Sequence, residues 1–321
     1  MWDYDSLIGK AQRYFLRAEQ ANSESERDVM AIWLLLGLEF LVRAGLAHTN
    51  PALNSDPQSM IDAVLGKENL KAKTIPVSQA IDRLNQLIPP TPESIFKAPA
   101  NNLINLRNAE LHSGMAALDI DVNAWLPAFT RVTDVVCKHI GLDADNIVGR
   151  GITTWGRSLI DQADQAVQKE IRERIKAAKD LLAQMRGEER AKREAALFSA
   201  TLAGALKVGS FWDGPIIDGL SGIRLGPFLF VECPACTNNI PMDIVEVRRS
   251  ADRLDGDFVH SDAVFIASSL HCPVCELTLT GASEISAAGL SPQHIEEFVE
   301  ELSDRFTGDE DYDGGLEYGD E

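Results

Sequence analysis

The sequence predicts a mainly α protein with four parts: an N-terminal helical bundle, a long connecting helix, a small β-rich domain and an acidic, disordered tail. Three observations predict it. Apolar residues recur at helical spacing through roughly the first 145 positions. A heptad-like seam follows over 155–198. From Gly209 onward, Gly, Pro and Asp become frequent, and short β-like runs bracket two Cys-x-x-Cys pairs. The expected boundaries are 1–148 for the bundle, 149–207 for the connector, 208–290 for the cysteine domain and 291–321 for an acidic helix and tail.

The first helix is expected over 5–21, where Leu7, Ile8, Ala11, Phe15 and Ala18 keep one face apolar. A long apolar helix over 24–47 follows. Ser23 reads as its N-cap, with Glu26 three residues later completing a capping box. Pro51 stops it, with His48 as a cap at its end. Shorter helices are expected over 59–65 and 77–87. Pro89, Pro90 and Pro92 then mark a loop, and helices over 101–112 and 122–140 complete the bundle.

In the connector, Ile160, Ala163, Val167, Ile171, Ile175, Ala178, Leu182 and Met185 recur at steps of three and four, with charged residues between. The pattern fits either a dimer coiled coil or a rigid arm between domains. Strands are expected at 228–232, 244–247, 258–259, 263–268 and 277–280, and a final helix over 291–306. The segment GDEDYDGGLEYGDE is too polar and Gly-rich to pack. It reads as a solubilising end, as an occupant of a partner's basic groove, or as an RNA mimic that closes a cleft.

The 321 residues are 45% hydrophobic and 25% charged, an ordinary globular mix. The opening MWDYDS has no basic stretch leading into an apolar one, so no secretory signal is expected. The apolar segment 32–46, broken by Glu39 and Arg43, reads as too short and too charged to span a membrane. A cytoplasmic protein is expected. The net charge of −19 opposes nucleic-acid binding, yet twelve acidic residues and one arginine from Glu296 to Glu321 carry −11 of it. The remaining surface is only mildly acidic, which leaves room for a local basic patch. Walker, dinucleotide-fingerprint and HExxH motifs are absent, so those chemistries lack their usual marks.

Cys233-Pro-Ala-Cys236 and Cys272-Pro-Val-Cys275 are separated by 35 residues. Two such knuckles aim four thiolates at one ion, which suits Zn²⁺ and leaves no open coordination position. The expectation is a structural Zn²⁺ in a zinc-ribbon-like domain. His271 stands beside Cys272 as a spare ligand. Arg248, Arg249 and Arg253 form the spacer's basic cluster and are candidate RNA contacts. Cys137 stands alone.

The segment NNLINLRNAELHSG carries Arg107 and, five residues later, His112, with polar Asn108 after the arginine. This arrangement, with the earlier LEFLVRAGLAHTNPAL helix and one further helix after the motif, resembles the HEPN superfamily over residues 1–145. The resemblance implies an HEPN-like helical bundle that forms a homodimer, two Arg–His motifs making one composite cleft. It also implies metal-independent cleavage of transfer or messenger RNA, often in toxin or antiphage systems. In that chemistry the ribose 2′-OH attacks the neighbouring phosphorus. A histidine can move the protons, and a guanidinium can hold the phosphorane charge. Asn108 would orient either the phosphate or the imidazole, and Glu110 would hold Arg107 or bias His112. Glu39 and Arg43, four apart on an apolar helix, are either an ordinary pair or part of the cleft. Trp33, Trp125 and Trp155 read as core or interface. The alternative function is a non-catalytic dimeric adaptor that binds a protein or nucleic acid through its zinc ribbon.

Overall fold

The computed structural model describes residues 2–21, 26–65, 73–89, 96–207, 216–218, 222–224 and 227–305. The chain divides into two compact units, 1–165 and 166–321. The 149–207 segment is thus shared between them.

The N-terminal unit contains α1 (Tyr4–Gln20), α2 (Arg27–Thr49), α3 (Pro57–Val64), α4 (Val77–Leu87), α5 (Lys97–His112), α6 (Val122–His139) and the start of α7 (Arg150–Gln184). Asp3 caps α1 by accepting the Ser6 N–H at 2.8 Å, and Leu7, Ile8, Ala11, Phe15 and Ala18 are buried as their spacing requires. α2 is apolar on nearly every side, the signature of a core helix. At 23 residues it is long and apolar enough to cross a membrane, contrary to the sequence reading of its length. Here Met30, Leu34, Leu35, Leu38, Leu41 and Leu46 are instead buried in the bundle. Gly37 permits the close approach of α1, because a Cβ there would overlap the Phe15 ring.

α2 ends before Pro51, as expected, and the Asn50 side chain caps the following turn by accepting the Ala52 N–H. His48 does not cap; its ring packs against Tyr4 and His139. The expected N-cap Ser23, the Pro90 and Pro92 loop and the acidic tail 308–321 lie outside the described residues. A π-helical turn, Asp145–Gly149, leads into α7. Arg157 donates to Asp145 at 2.6 Å and to Asp134 of α6 at 2.8 Å, tying the turn and α6 to α7.

The C-terminal unit holds the rest of α7, α8 (Gly187–Lys207), a two-stranded pair β1 (Ile216–Asp218) and β2 (Gly222–Arg224), and a six-stranded antiparallel sheet. Its strands are β3 (Phe228–Glu232), β4 (Asn239–Arg249), β5 (Arg253–Asp255), β6 (Phe258–His271), β7 (Thr278–Thr280) and β8 (Gln293–Glu301), with α9 (Gly281–Ala287) between the last two. β6 is the central strand, pairing with β4, β5, β7 and β8. It unites the two runs expected at 258–259 and 263–268.

Two expectations are overturned. The final helix expected over 291–306 is instead strand β8, hydrogen-bonded to β6 from Phe258↔Glu301 to Ile266↔Gln293. Its glutamates favour a helix locally, but the open edge of β6 supplies a ladder for the whole backbone. The single long helix is also broken, between Gln184 and Gly187. The middle of its seam packs within the chain. Ile171 and Ala178 are buried in the core of the sheet unit, with Val167, Ile175 and Leu182 packed against that core. A helix lying on a sheet buries one stripe with nearly the period of a coil seam, so sequence alone does not separate the two.

Candidate functional site

α5 places the Arg–His motif. Its buried positions are Ala100, Leu103 and Ile104, and Arg107 continues that stripe one turn further on. The arginine side chain is therefore directed into the bundle, where only 11% of it remains exposed. Its partner comes from α2: Arg107 Nη1 lies 2.6 Å from Glu39 Oε2. The other carboxylate oxygen of Glu39 accepts from Arg43, at 3.1 Å from Nε and 2.9 Å from Nη2. Arg43 Nη2 also donates to the Ile75 carbonyl at 3.1 Å.

Two guanidiniums thus share one carboxylate. The cluster keeps a net positive charge, and Arg107 Nε and Arg43 Nη1 are buried without hydrogen-bond partners among the described residues. Such a centre favours an additional anion, since charge-assisted contacts to phosphate or carboxylate oxygens are what these N–H groups lack. The sequence offered two readings for Glu39 and Arg43. The first holds, since they form an i,i+4 pair, and Glu39 of that pair also holds Arg107.

His112 is exposed at the C-terminal end of α5. Five residues from Arg107, it lies about 140° round the helix. Neither the His112 nor the Asn108 side chain makes a hydrogen bond or ion pair among the described residues. Among the described residues Glu110 pairs with neither Arg107 nor His112. Its Oε2 accepts the Leu118 N–H at 2.9 Å and so fastens the loop after α5. Sequence reasoning assigned Arg107 no carboxylate partner in α2. The charged pair in an otherwise apolar helix was the available signal.

The four cysteines converge as their spacing predicts. Their sulfurs all lie within 4.8 Å of one another, with Cys233–Cys275 at 3.6 Å and Cys236–Cys272 at 3.4 Å. A tetrahedral site with Zn–S near 2.3 Å needs sulfurs about 3.8 Å apart, so the quartet has the size of a metal site. The two knuckles are built alike. Thr237 N donates to the Cys233 carbonyl at 2.9 Å, and Glu276 N to that of Cys272 at 2.8 Å. Thr237 and Glu276 both adopt positive φ, 60° and 61°, a costly conformation for residues with a Cβ.

Without a cation, four adjacent thiols cannot all ionise. Hydrogen bonds from Cys233, Cys272 and Cys275 hold the Cys236 thiol below its ordinary range. The contacts of Cys275 with Cys233, Cys236 and Cys272 push its own thiol up. A divalent ion would remove that conflict. All four cysteines are buried, and α8 flanks the site through Arg193, which pairs with Glu276 at 2.8 Å. His271 takes no part, its Nδ1 facing Thr278 Oγ1 at 3.0 Å.

The expected basic cluster is largely neutralised. Arg249 pairs with Glu246 at 2.8 Å, and its guanidinium lies over the Phe298 ring. Arg253 contacts Asp262 at 3.3 Å and Glu297 at 3.4 Å. β8, absent as a strand from the sequence reading, brings Glu297 to Arg253.

Fold and site together define a two-part chain: a helical unit with an Arg–Glu–Arg centre, and a sheet unit with a four-cysteine centre. No family model, curated protein or solved structure matches it.

Proposed function

We propose that the chain is an HEPN-type endoribonuclease that acts as a homodimer without a catalytic metal. The observation that carries this reading is the unequal state of the two motif residues. Glu39 holds Arg107 in a cationic, partly buried centre with unsatisfied N–H groups, while His112 is exposed and unengaged. Such a pair suits a cleft completed by a second copy. Arg107 would bind the scissile phosphate, and His112 would carry a proton to or from the ribose 2′-OH or the leaving oxygen. The four-cysteine centre would hold a structural Zn²⁺, since four buried thiolates favour that ion and close its coordination sphere.

The deciding experiment is incubation of the purified protein with total RNA and transfer RNA in EDTA, beside Arg107→Ala and His112→Ala. The reading requires fragments with 5′-OH and cyclic phosphate ends from the unmodified chain and none from either variant. Inactivity on every RNA would reject it.

One observation favours the adaptor as the second reading. The sheet unit exposes Val245, Val247, Ile295 and Val299, more apolar surface than isolated strand positions require. A purified protein without nuclease activity would move attention to that surface.

A further inference from the structure

The net charge of −19 conceals a segregated basic face on α1. At about 100° per residue, Lys10, Arg13, Tyr14 and Arg17 fall within an arc of about 100°. Asp5 and Glu19 lie well round the helix from them. Arg13 and Arg17 are exposed, and Lys10 is half-buried. None of the three cations forms a salt bridge among the described residues.

Beside these cations lies an aromatic row shared by α1 and α2. The Tyr14 ring is 5.4 Å from Trp33 and 5.5 Å from Phe40, centroid to centroid. Lys10 Nζ stands 4.0 Å from the Phe40 centroid, and Arg17 Cζ 4.8 Å from that of Trp33. All three rings are half-buried, so each keeps part of its surface open. Helix packing would account for the rings. It does not account for three cations gathered on one side, none of them in a salt bridge among the described residues.

We propose that this α1–α2 face is a docking surface for single-stranded RNA, separate from Arg107 and His112. The inference rests on the ribonuclease reading for its choice of RNA. Lys10, Arg13 and Arg17 supply contacts to successive phosphates. Tyr14, in the middle of the aromatic row, offers a flat surface to a base, and cations beside an aromatic platform are the combination that single strands require. A second copy of this chain fits the face poorly. An isologous contact would set these unpaired cations against their own copies, and interface cores are depleted of charge.

The test is fluorescence anisotropy of a short 2′-O-methyl RNA, which lacks the attacking hydroxyl and so reports binding without cleavage. The expected result is binding by the full chain that Lys10→Glu/Arg17→Glu weakens at least tenfold. The slope of log affinity against log salt should fall by about 1.4, the contribution of two phosphate contacts on a single strand. Tyr14→Ala should weaken binding without changing that slope. Lys179→Glu/Lys192→Glu, the same charge change on exposed helix positions of the other unit, should leave most of the affinity.

Binding unaffected by the first pair, or reduced equally by both pairs, overturns the proposal. So does a change from dimer to monomer in sedimentation on reversing Lys10 and Arg17, which would assign the face to a second copy. If the reversal prevents folding, Lys10→Ala/Arg17→Ala removes the same two charges and carries the same expectation for the slope. Binding without any cleavage of natural RNA would reject the nuclease and leave the docking surface. Cleavage with binding insensitive to these residues would do the reverse.

Discussion

Arg107 of α5 and Glu39 of α2 meet at 2.6 Å, so the residue proposed to bind phosphate is held by a carboxylate 68 positions earlier in the chain. That carboxylate also holds Arg43, and the three side chains retain only 9–16% of their exposure. Breaking such a pair leaves buried charge uncompensated, unlike the loss of a surface bridge.

Glu39→Ala should therefore destabilise the helical unit by about 3 kcal/mol or more, since two buried guanidiniums lose their counter-charge. Urea unfolding followed by circular dichroism measures it. A loss below about 1 kcal/mol would place the cluster with solvent-screened pairs.

His112→Ala should change stability by no more than about 0.5 kcal/mol, because the side chain is exposed and unbonded. RNA cleavage should nevertheless disappear. Refolding a mixture of Arg107→Ala and His112→Ala chains should recover part of the activity, since each mixed dimer keeps one arginine and one histidine. Failure of the mixture to recover any would argue against a composite cleft.

Replacing any one of Cys233, Cys236, Cys272 or Cys275 with serine should abolish stoichiometric zinc, measured by inductively coupled plasma spectrometry on the purified chain. Because metal binding is coupled to folding of such sites, the sheet unit should lose its protection from proteolysis. The helical unit has its own core and should stay protected. Full zinc content in a serine variant would exclude the quartet as the site.

Cys137 gives a pH signature. Burial pushes its thiol from 9.0 up to about 12. The folded chain therefore keeps this proton at pH values where the unfolded chain releases it. Its contribution is complete below about pH 9 and is lost as pH rises towards 12, with a slope of up to about 1.4 kcal/mol per pH unit. The alkaline decline in stability should be shallower in Cys137→Ala. Equal slopes in the two proteins would show that the thiol is not protected in the folded state.

Much of the N-terminal unit was legible because its signals are local. The stripe Leu7–Ile8–Ala11–Phe15–Ala18, the stop at Pro51 and the helix carrying Arg107 all depend on residues within a few turns of one another. The cysteine quartet was legible for a related reason: each knuckle is a short loop, and two knuckles that bind one ion must converge.

Where an element depends on a distant strand or helix, local pattern misled. Residues 293–301 read as a helix from their glutamates but form a strand, because β6 offers an edge to pair with. The seam Val167–Ile171–Ala178 has the spacing of a coiled coil, but packs on the core of its own sheet unit. The sequence by itself determined which residues are apolar, where helices stop and which side chains can ligate a metal, because these follow from neighbouring chemistry. Only the tertiary structure decided that Glu39 faces Arg107, that Glu110 serves the loop at Leu118, and that Lys10 and Arg17 stand over Phe40 and Trp33. Each of these depends on how one helix or loop packs on another, and no periodicity within a single segment encodes that.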